Sequence, residues 1–215
     1  MVLKTMPETT APAGPLWQQG WYRCARILPS PNVGPRPERA DIDLLVIHSI
    51  SLPPGEFGNS NVQRLFTNQL DWEEHAYFQG IRGLKVSSHF FITRTGMLWQ
   101  FVSCDERAWH AGQSSYRGRQ GCNDDSIGIE LEGLEGDTFE MLQYETLASL
   151  CAALMAQYPI QHIAGHEHIA AGRKHDPGAG FDWPLLKRNL AAPDRYFPEA
   201  WQSGGHHGVD HLVKS

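Results

Sequence analysis

The stretch DLLVIHSI at residues 43–50 decides the fold of this chain. Its apolar run LLVI is continuous and contains β-branched residues, which is typical of a strand buried on both faces. Strands of this kind belong to sheets covered by helices, so the stretch predicts the core strand of an α/β domain. The run ends at His48, and the Pro- and Gly-rich stretch SLPPGEFG at residues 51–58 follows it as a shaped loop. Loops at strand ends are where functional sites are usually built.

Further strands of the same sheet are predicted downstream. Residues 85–103, KVSSHFFITRTGMLWQFVS, contain two strand patterns joined by a turn at residues 94–96, which indicates a hairpin. SIGIELEG at residues 126–133 alternates with a period of two and predicts another strand. IQHIAGH at residues 160–166 predicts a last strand that carries His166 at its end.

Helical patterns separate these strands, at residues 61–70, 138–158 and 183–191. The second pattern is the clearest, because its apolar residues recur at spacings of three and four, and Asp137 with Glu140 resembles a capping box at its start. Asp182 is the expected N-cap of the last helix. Since strands and helices interleave, the fold class is α/β, with a mixed central β-sheet flanked by helices.

The length of 215 residues favours one domain with extensions at both ends. Residues 1–16 are rich in Pro, Thr and Ala without apolar periodicity, so we expect a flexible arm there. The domain is predicted at residues 17–197, and residues 198–215 are predicted to be a disordered tail. The tail contains GGHHG at residues 204–208, where a solvated segment is favoured over an adventitious metal binder.

Composition excludes several classes of function. The formal net charge is −6 and no basic run is present, which argues against nucleic-acid binding. No apolar stretch reaches the roughly 18 residues that a bilayer span needs, and the first 20 residues or so lack the apolar core of a secretory signal. We therefore expect no membrane contact and a cytoplasmic location. The four cysteines are scattered without a CxxC pair, so we expect free thiols rather than zinc ligands.

Metal-binding residue types are concentrated in GHEHIAAGRKHDPG at residues 165–178. A lone histidine such as His48 or His166 is more often a buried, hydrogen-bonded residue than a ligand. The local concentration of histidine, lysine and aspartate has no structural purpose in a core, however, and it favours a metal site. Catalytic zinc is usually held by three protein ligands, with the fourth position open for water. Together with His48, His166 and Asp176 form such a set, which predicts a zinc hydrolase.

Hydrolysis by a zinc site also needs a base and a group that stabilises negative charge. The alternation in residues 126–133 places Glu130 and Glu132 on one face of a strand, and either could be the base. A carboxylate there would be costly to bury unless it were paired or used. Lys174, two residues before Asp176, is suited to an oxyanion, or it forms an ordinary ion pair with that aspartate.

Five separated sequence blocks resemble motifs of one protein family, and they follow one another in the same order as in that family. They are VIHSISLPPGEFG at 46–58, SSHFFITRTG at 87–96, RAWHAGQSSYRGR at 107–119, CNDDSIGIELEG at 122–133 and GHEHIAAGRKHDPGAGFDW at 165–183. The chain resembles, over roughly residues 17–190, the AmpD-type amidases, which are zinc-dependent N-acetylmuramoyl-L-alanine amidases of bacterial cell-wall recycling. The resemblance implies a cytoplasmic enzyme whose fold is shared with the peptidoglycan recognition proteins.

The resemblance also implies roles for particular residues. It makes His48, His166 and Asp176 the ligands of one zinc ion per chain, Glu130 rather than Glu132 the catalytic carboxylate, and Lys174 the oxyanion stabiliser. The implied reaction is hydrolysis of the amide between the lactyl group of 1,6-anhydro-N-acetylmuramic acid and the L-alanine of the stem peptide.

The resemblance extends to substrate contacts, in the blocks above and in AYF at residues 76–78. The resemblance places Tyr77, Trp109 and His110 around the substrate. Muramyl peptides carry several carboxylates, so an acidic chain needs a local basic patch to bind them, and we expect Arg117 and Arg119 to supply part of it. The predicted partner is this small-molecule substrate, and the predicted state is a monomer. The alternatives are a recognition protein that binds muramyl peptides without cleaving them, and an amidase that acts on intact peptidoglycan.

Overall fold

The computed structural model describes residues 14–198. Most of the predicted N-terminal arm and of the predicted tail, with its GGHHG stretch, lies outside the described residues. The strands are, in chain order, β1 (Trp17–Gln18), β2 (Trp21–Tyr22), β3 (Arg26–Ile27), β4 (Val33–Gly34), β5 (Leu44–Ile50), β6 (Phe90–Ile92), β7 (Leu98–Gln100), β8 (Arg107–Ala108), β9 (Ser115–Tyr116), β10 (Arg119–Gln120), β11 (Ser126–Glu132) and β12 (His162–Gly165). The helices are α1 (Asn61–Phe66), α2 (Ala76–Gly80), α3 (Met141–Gln157), α4 (His166–Ile169) and α5 (Trp183–Leu190), followed by a 3₁₀ turn at Asp194–Tyr196.

Six strands form the central sheet in the order β12-β5-β11-β6-β7-β3. β5 pairs in parallel with both β12 and β11, and β11 pairs in parallel with β6. β6 and β7 form the predicted antiparallel hairpin, and β3 runs parallel to β7. The sheet is therefore mixed, as predicted, and its two longest strands, β5 and β11, lie next to each other as the second and third of the six.

Both faces of the sheet are covered, which explains why β5 is apolar along its length. Leu45 and Ile47 of β5 belong to the larger core, with the apolar side of α3 and with α5 residues such as Leu186. Leu44 and Val46 point to the opposite face, where they pack with Ala111 and neighbouring residues. A third cluster, built around α1, α2 and the β6–β7 hairpin, covers the rest of that face. His48 shares the face of Leu44 and Val46, because side chains alternate along a strand.

The helices differ from the sequence predictions at their ends. α1 ends at Phe66 rather than at residue 70, because Asn68 adopts a left-handed backbone conformation with φ of 58°. α3 begins at Met141 rather than at residue 138, since its capping box joins Glu140 to Gln143 and does not involve Asp137. α5 begins as predicted, with the side chain of Asp182 accepting a hydrogen bond from the backbone N–H of Leu185.

The four cysteines lie in the described part of the chain and are free thiols, as predicted. Within residues 14–198, no helix combines the length and the apolar character that a membrane span requires.

Candidate active site

The site lies on one face of the central sheet, where β5 and β11 run side by side. His48 of β5 is paired with Glu130 of β11 in the parallel ladder, so both side chains project from the same face. His48 is 1% exposed and Glu130 is 8% exposed. β5 continues past His48 to Ile50, as predicted, so the histidine lies within the strand.

The second and third candidate ligands come from the chain after β12. Gly165 ends that strand, and its backbone N–H donates to His168 Nδ1 at 2.8 Å, which turns the chain into α4 with His166 as its first residue. A Cβ atom at Gly165 would lie 2.8 Å from Pro177 Cδ, so only glycine lets the following loop pack this closely. The backbone N–H of Glu167 donates to the carbonyl oxygen of Asp176 at 2.9 Å, which brings the aspartate back beside His166.

The three predicted ligands meet in space. His48 Nδ1 and His166 Nδ1 are 3.0 Å apart, and each is 3.1 Å from Asp176 Oδ2. Among the described residues, these three form the group that could hold a metal ion. Burial lowers the pKa of His48 to about 4, despite the nearby Asp176 carboxylate, so this imidazole is neutral near pH 7. Neutral imidazole is the form that binds metals.

The donor atoms fit a zinc ion. His166 Nε2 lies 3.2 Å from the carbonyl oxygen of Ala111, which can only accept, so Nε2 carries the proton and Nδ1 presents a lone pair. The ionised carboxylate of Asp176 is also an acceptor, so two lone pairs face each other, an arrangement that a cation stabilises. Two ligand atoms of a tetrahedral zinc ion, each about 2.1 Å from it, lie about 3.4 Å apart. The observed separations are close to that value.

Glu130 lies beside the three ligands and has a free acceptor. Its Oε2 atom is buried and has no hydrogen-bond partner within residues 14–198. Burial raises the pKa of Glu130 well above its usual range, the Asp176 carboxylate raises it further, and Lys174 opposes them. A buried carboxylate oxygen that accepts no hydrogen bond from the described residues is suited to accept a proton from a molecule in the cleft.

Glu132, the other carboxylate on this face of β11, has protein partners on both oxygens. Oε1 accepts from the backbone N–H of Gly58 at 2.5 Å, and Oε2 accepts from the backbone N–H of Arg94 at 2.9 Å. The side chain therefore ties the loop after β5 to the turn of the hairpin. This difference in partners separates the two glutamates, which the strand pattern alone left equivalent.

Lys174 lies on the rim of the site, together with Asp176. Its backbone N–H donates to the carbonyl oxygen of Ala170 at 3.0 Å, which closes the turn after α4. Asp176 instead has its contacts with the two histidines, and in the part of the chain that the structure describes Lys174 has no ion pair. The ordinary ion pair considered from the sequence is therefore not formed.

A cleft of about 480 Å³ opens over these residues. Its lining includes the polar groups His48, Glu130, His166, Lys174 and Asp176. The lining also includes the apolar and aromatic residues Leu52, Leu65, Phe66, Tyr77, Ile81, Leu84, Val86 and Trp109. Tyr77 and Trp109, predicted as substrate contacts, thus line the same cleft as the metal group.

His110 also lines the cleft, but both of its ring nitrogens face protein atoms. Its Nδ1 is 2.9 Å from His48 Nε2, and its Nε2 is 3.2 Å from Ser126 Oγ. Burial and the neighbouring His48 lower the pKa of His110 well below its usual value. A substrate contact through His110 stays a prediction.

Arg117 and Arg119 are not among the residues that line the cleft. Arg119, the first residue of β10, instead pairs with Asp43 at 2.7 Å and with Asp125 at 3.1 Å. These carboxylates occupy its guanidinium group. A substrate contact through Arg117 or Arg119 stays a prediction.

Two residues that fix the backbone near the ligands were missed from the sequence. Asn123 Oδ1 accepts from the backbone N–H groups of His110 and Ala111, at 3.0 and 2.8 Å. Arg173 donates through Nη2 to the carbonyl oxygen of Ala111 at 3.0 Å. Contacts between a side chain and distant backbone leave no periodic pattern, so no signal in the sequence marks either residue.

Comparison with known proteins gives a consistent result. The family model described as N-acetylmuramoyl-L-alanine amidase matches residues 38–179, which include all three candidate ligands and both glutamates. The 1,6-anhydro-N-acetylmuramyl-L-alanine amidase AmpD of Citrobacter freundii is 49% identical over 183 residues, which are 84% of this chain and 97% of that relative.

Solved structures show the same similarity. The crystal structure of a selenomethionine derivative of AmpD superposes with a TM-score of 0.79 at 48% identity, covering 80% of this chain and 98% of that one. The Escherichia coli amidase AmiD, in complex with anhydro-N-acetylmuramic acid-L-Ala-D-γ-Glu-L-Lys, superposes with a TM-score of 0.51 at 29% identity, covering 72% of this chain and 60% of that one.

Proposed function

The chain belongs to the N-acetylmuramoyl-L-alanine amidase family, and on that premise we propose that it hydrolyses the amide between the lactyl group of 1,6-anhydro-N-acetylmuramic acid and the L-alanine of the stem peptide. One observation carries this proposal: the donor atoms of His48, His166 and Asp176 converge beside the unpartnered carboxylate oxygen of Glu130 in one cleft. Metal ligands and an adjacent base are the groups that hydrolysis of an amide requires. The choice of substrate rests on the activity for which the relatives are named, and these relatives cover most of this chain.

Zinc is the proposed metal, with one ion per chain held by His48, His166 and Asp176. When bound, it would supply positive charge that polarises the amide carbonyl, acidifies a water molecule and favours the ionised form of Glu130. The imidazole and carboxylate donors are those that zinc accepts in catalytic sites, where three protein ligands leave one position open.

The protein groups carry the proton transfers and the charge. Glu130 accepts the proton that water loses as it attacks the amide carbon, and then delivers it to the nitrogen of the leaving peptide. Lys174 faces the cleft without an ion pair in the described part of the chain, so its ammonium group stabilises the negative charge that develops on the carbonyl oxygen. The apolar residues of the lining, with Tyr77 and Trp109, pack against the substrate and exclude water from the reacting amide.

The decisive experiment uses the purified full chain with an anhydromuramyl tripeptide. We expect about one zinc ion per chain by elemental analysis, release of the free tripeptide by mass spectrometry, loss of release with a chelator and recovery when zinc is restored. Binding of the muramyl peptide without release of the tripeptide in the zinc-loaded protein would instead make this a recognition protein.

The third possibility is an amidase that acts on intact peptidoglycan. Equal activity on purified sacculi and on the anhydromuramyl tripeptide would favour it over the recycling enzyme proposed here.

The resemblance to recycling amidases also leads us to propose a monomer located in the cytoplasm. Gel filtration of the purified chain and fractionation of the source cells test these two points.

A further inference from the structure

We propose that His110 is a positioning residue that holds His48 in the tautomer with the proton on Nε2 and the lone pair on Nδ1, the atom that faces His166 and Asp176. The inference rests on the proposed function in one respect, since it takes His48 to be a metal ligand. The role assigned to His110 goes beyond metal ligation by His48, His166 and Asp176. It consists of a chain of hydrogen bonds that begins at the backbone carbonyl of Cys122 and ends at His48.

The direction of that chain is fixed at its far end. The hydroxyl of Ser126 lies against the carbonyl oxygen of Cys122, and a carbonyl can only accept, so the hydroxyl proton of Ser126 is committed to it. The oxygen of Ser126 is then left as an acceptor. His110 Nε2 lies 3.2 Å from this oxygen and must donate to it.

The imidazole of His110 in turn fixes the direction of the hydrogen bond to His48. A neutral imidazole carries one proton, so a proton on His110 Nε2 leaves a lone pair on His110 Nδ1. That lone pair lies 2.9 Å from His48 Nε2, which therefore donates, and His48 Nδ1 is left as the lone-pair atom. The reverse polarity would need a second proton on Ser126.

Strand β11 leaves space for the imidazole ring of His110. A Cβ atom on Gly128 would lie 2.5 Å from His110 Cγ, so the imidazole packs directly on the bare backbone of β11. Ser126, Gly128, Glu130 and Glu132 share that face of the strand. On this face Ser126 accepts the hydrogen bond of His110 and Gly128 leaves space for its ring. Glu130 is the proposed base, and Glu132 binds the loop after β5.

The backbone that carries His110 serves the second histidine ligand in the same way. The carbonyl oxygen of Ala111 accepts from His166 Nε2 at 3.2 Å, and Asn123 holds the N–H groups of both His110 and Ala111. One two-residue segment therefore sets the tautomer of His166 with a carbonyl and that of His48 with a side chain. Residues that orient metal ligands in this way typically change metal affinity about 10- to 100-fold when replaced.

Three variants and one control test the role of His110. His110→Phe keeps a ring but removes both nitrogens, His110→Asn restores an acceptor close to the position of Nδ1, and Ser126→Ala removes the anchor while altering little volume. Ser88→Ala is the matched control, because Ser88 is fully buried and its hydroxyl has no hydrogen-bond partner among residues 14–198. Far-UV circular dichroism and urea unfolding establish that each variant is folded.

The first readout is the zinc dissociation constant, measured by competition with a chromogenic chelator. We expect the constant to rise about 10- to 100-fold in His110→Phe, and by about 10-fold in Ser126→Ala, with His110→Asn closer to the parent and Ser88→Ala unchanged. Saturating zinc should restore most of the activity of Ser126→Ala, because the defect is one of ligand orientation. Unchanged zinc affinity in both His110→Phe and Ser126→Ala would overturn the proposal.

The second readout does not depend on activity. Long-range ¹H–¹⁵N correlation spectra of the metal-free protein report which nitrogen of His48 is protonated. We expect the Nε2–H tautomer in the parent and in Ser88→Ala, and a mixture of tautomers in His110→Phe. A His48 ring protonated on Nδ1 in the parent would contradict the role of His110 even if the enzyme is an amidase. If the parent hydrolyses no muramyl peptide, the proposed function fails while this result still stands.

Discussion

Glu130 and His48 occupy paired positions on adjacent parallel strands, β11 and β5, in the interior of the sheet. The proposed base and one proposed metal ligand are therefore held by the same ladder of backbone hydrogen bonds, not by a mobile loop. A shift of one residue in the register of β11 would turn Glu130 to the opposite face. The apolar residues that alternate with Glu130, Ile129 and Leu131, are fully buried in the core beneath and prevent such a shift.

Replacing Glu130 with Gln should abolish most catalysis and leave metal binding intact. The substitution keeps the size of the side chain but removes the proton acceptor, and loss of a general base typically lowers kcat about 10²- to 10⁴-fold. Zinc content by elemental analysis should remain that of the parent, because Glu130 is not among the three ligands. Steady-state kinetics on the anhydromuramyl tripeptide give the test, and activity near that of the parent would place the base elsewhere.

Replacing Glu132 with Gln should act on stability and on substrate binding instead. The neutral amide can accept from only one of the two backbone N–H groups, of Gly58 and Arg94, that now donate to the carboxylate. Both hydrogen bonds are only partly buried, and the loss of one such bond costs about 0.5–1.5 kcal/mol. We expect a fall of that size in the free energy of unfolding by urea denaturation and a higher KM, since the loop after β5 lines the cleft.

The control for that prediction is Glu73→Gln. Glu73 is exposed and forms a surface ion pair with Arg82, and such pairs contribute roughly 0–1 kcal/mol. If Glu132→Gln were as stable as Glu73→Gln, the tie between the loop and the hairpin would contribute nothing measurable.

The parts of the fold that could be predicted are those in which residues adjacent in sequence form a pattern that indicates burial. The run LLVI before His48 and the alternation in SIGIELEG each require a particular strand, and both strands are present as β5 and β11. The strands of two residues, such as β1 and β9, could not be predicted. Their pairing is decided by partners and turns, and two residues are too few to form a pattern.

The candidate site shows the same division. The cluster of histidine and aspartate at residues 165–178 is a local signal, and the resemblance assigned His48 to the same group, which the structure brings together. The difference between Glu130 and Glu132 is not local. It depends on which backbone N–H groups reach each carboxylate, and these come from loops more than 30 residues away in the sequence. The anchoring of His110 by Ser126 is hidden for the same reason.

Replacing Gly128 with Ala should displace His110 without straining the backbone. The added Cβ would lie 2.5 Å from His110 Cγ, and Gly128 is not among the residues with positive φ. Overpacking of this kind costs about 1–3 kcal/mol. We expect lower stability together with weaker zinc binding, measured by urea unfolding and by chelator competition.

The matched control is Gly80→Ala. Gly80 is exposed at the end of α2, its φ is also not positive, and a Cβ there would meet nothing within 4 Å. Alanine at such a position stabilises by about 0.4–1 kcal/mol, by restricting the unfolded chain. Zinc affinity equal to that of the parent in Gly128→Ala would show that the ring of His110 can shift without affecting His48.

The final prediction concerns the response of the fold to acid, through His89. This histidine is fully buried; its Nδ1 accepts from the backbone N–H of Gly128 at 3.0 Å, and its Nε2 faces the carbonyl oxygen of Glu106 and the guanidinium of Arg36, each at 3.1 Å. The ring of His110 also faces it, with ring centroids 5.7 Å apart. Burial, assisted by the positive charge of Arg36, lowers the pKa of His89 to about 3.

Because the pKa is lower in the folded than in the unfolded state, where it is about 6.5, the unfolded chain binds the proton first. The contribution of His89 to stability is therefore complete above about pH 6.5 and is lost as the pH falls toward 3, by up to about 1.4 kcal/mol per pH unit. His89→Asn keeps an acceptor for Gly128 but cannot titrate, so its free energy of unfolding should fall less steeply between about pH 6.5 and about pH 4. Urea denaturation across that range measures the slope, with the exposed His75→Asn as control. Equal slopes for the parent and His89→Asn would mean that His89 does not govern the loss of stability in acid.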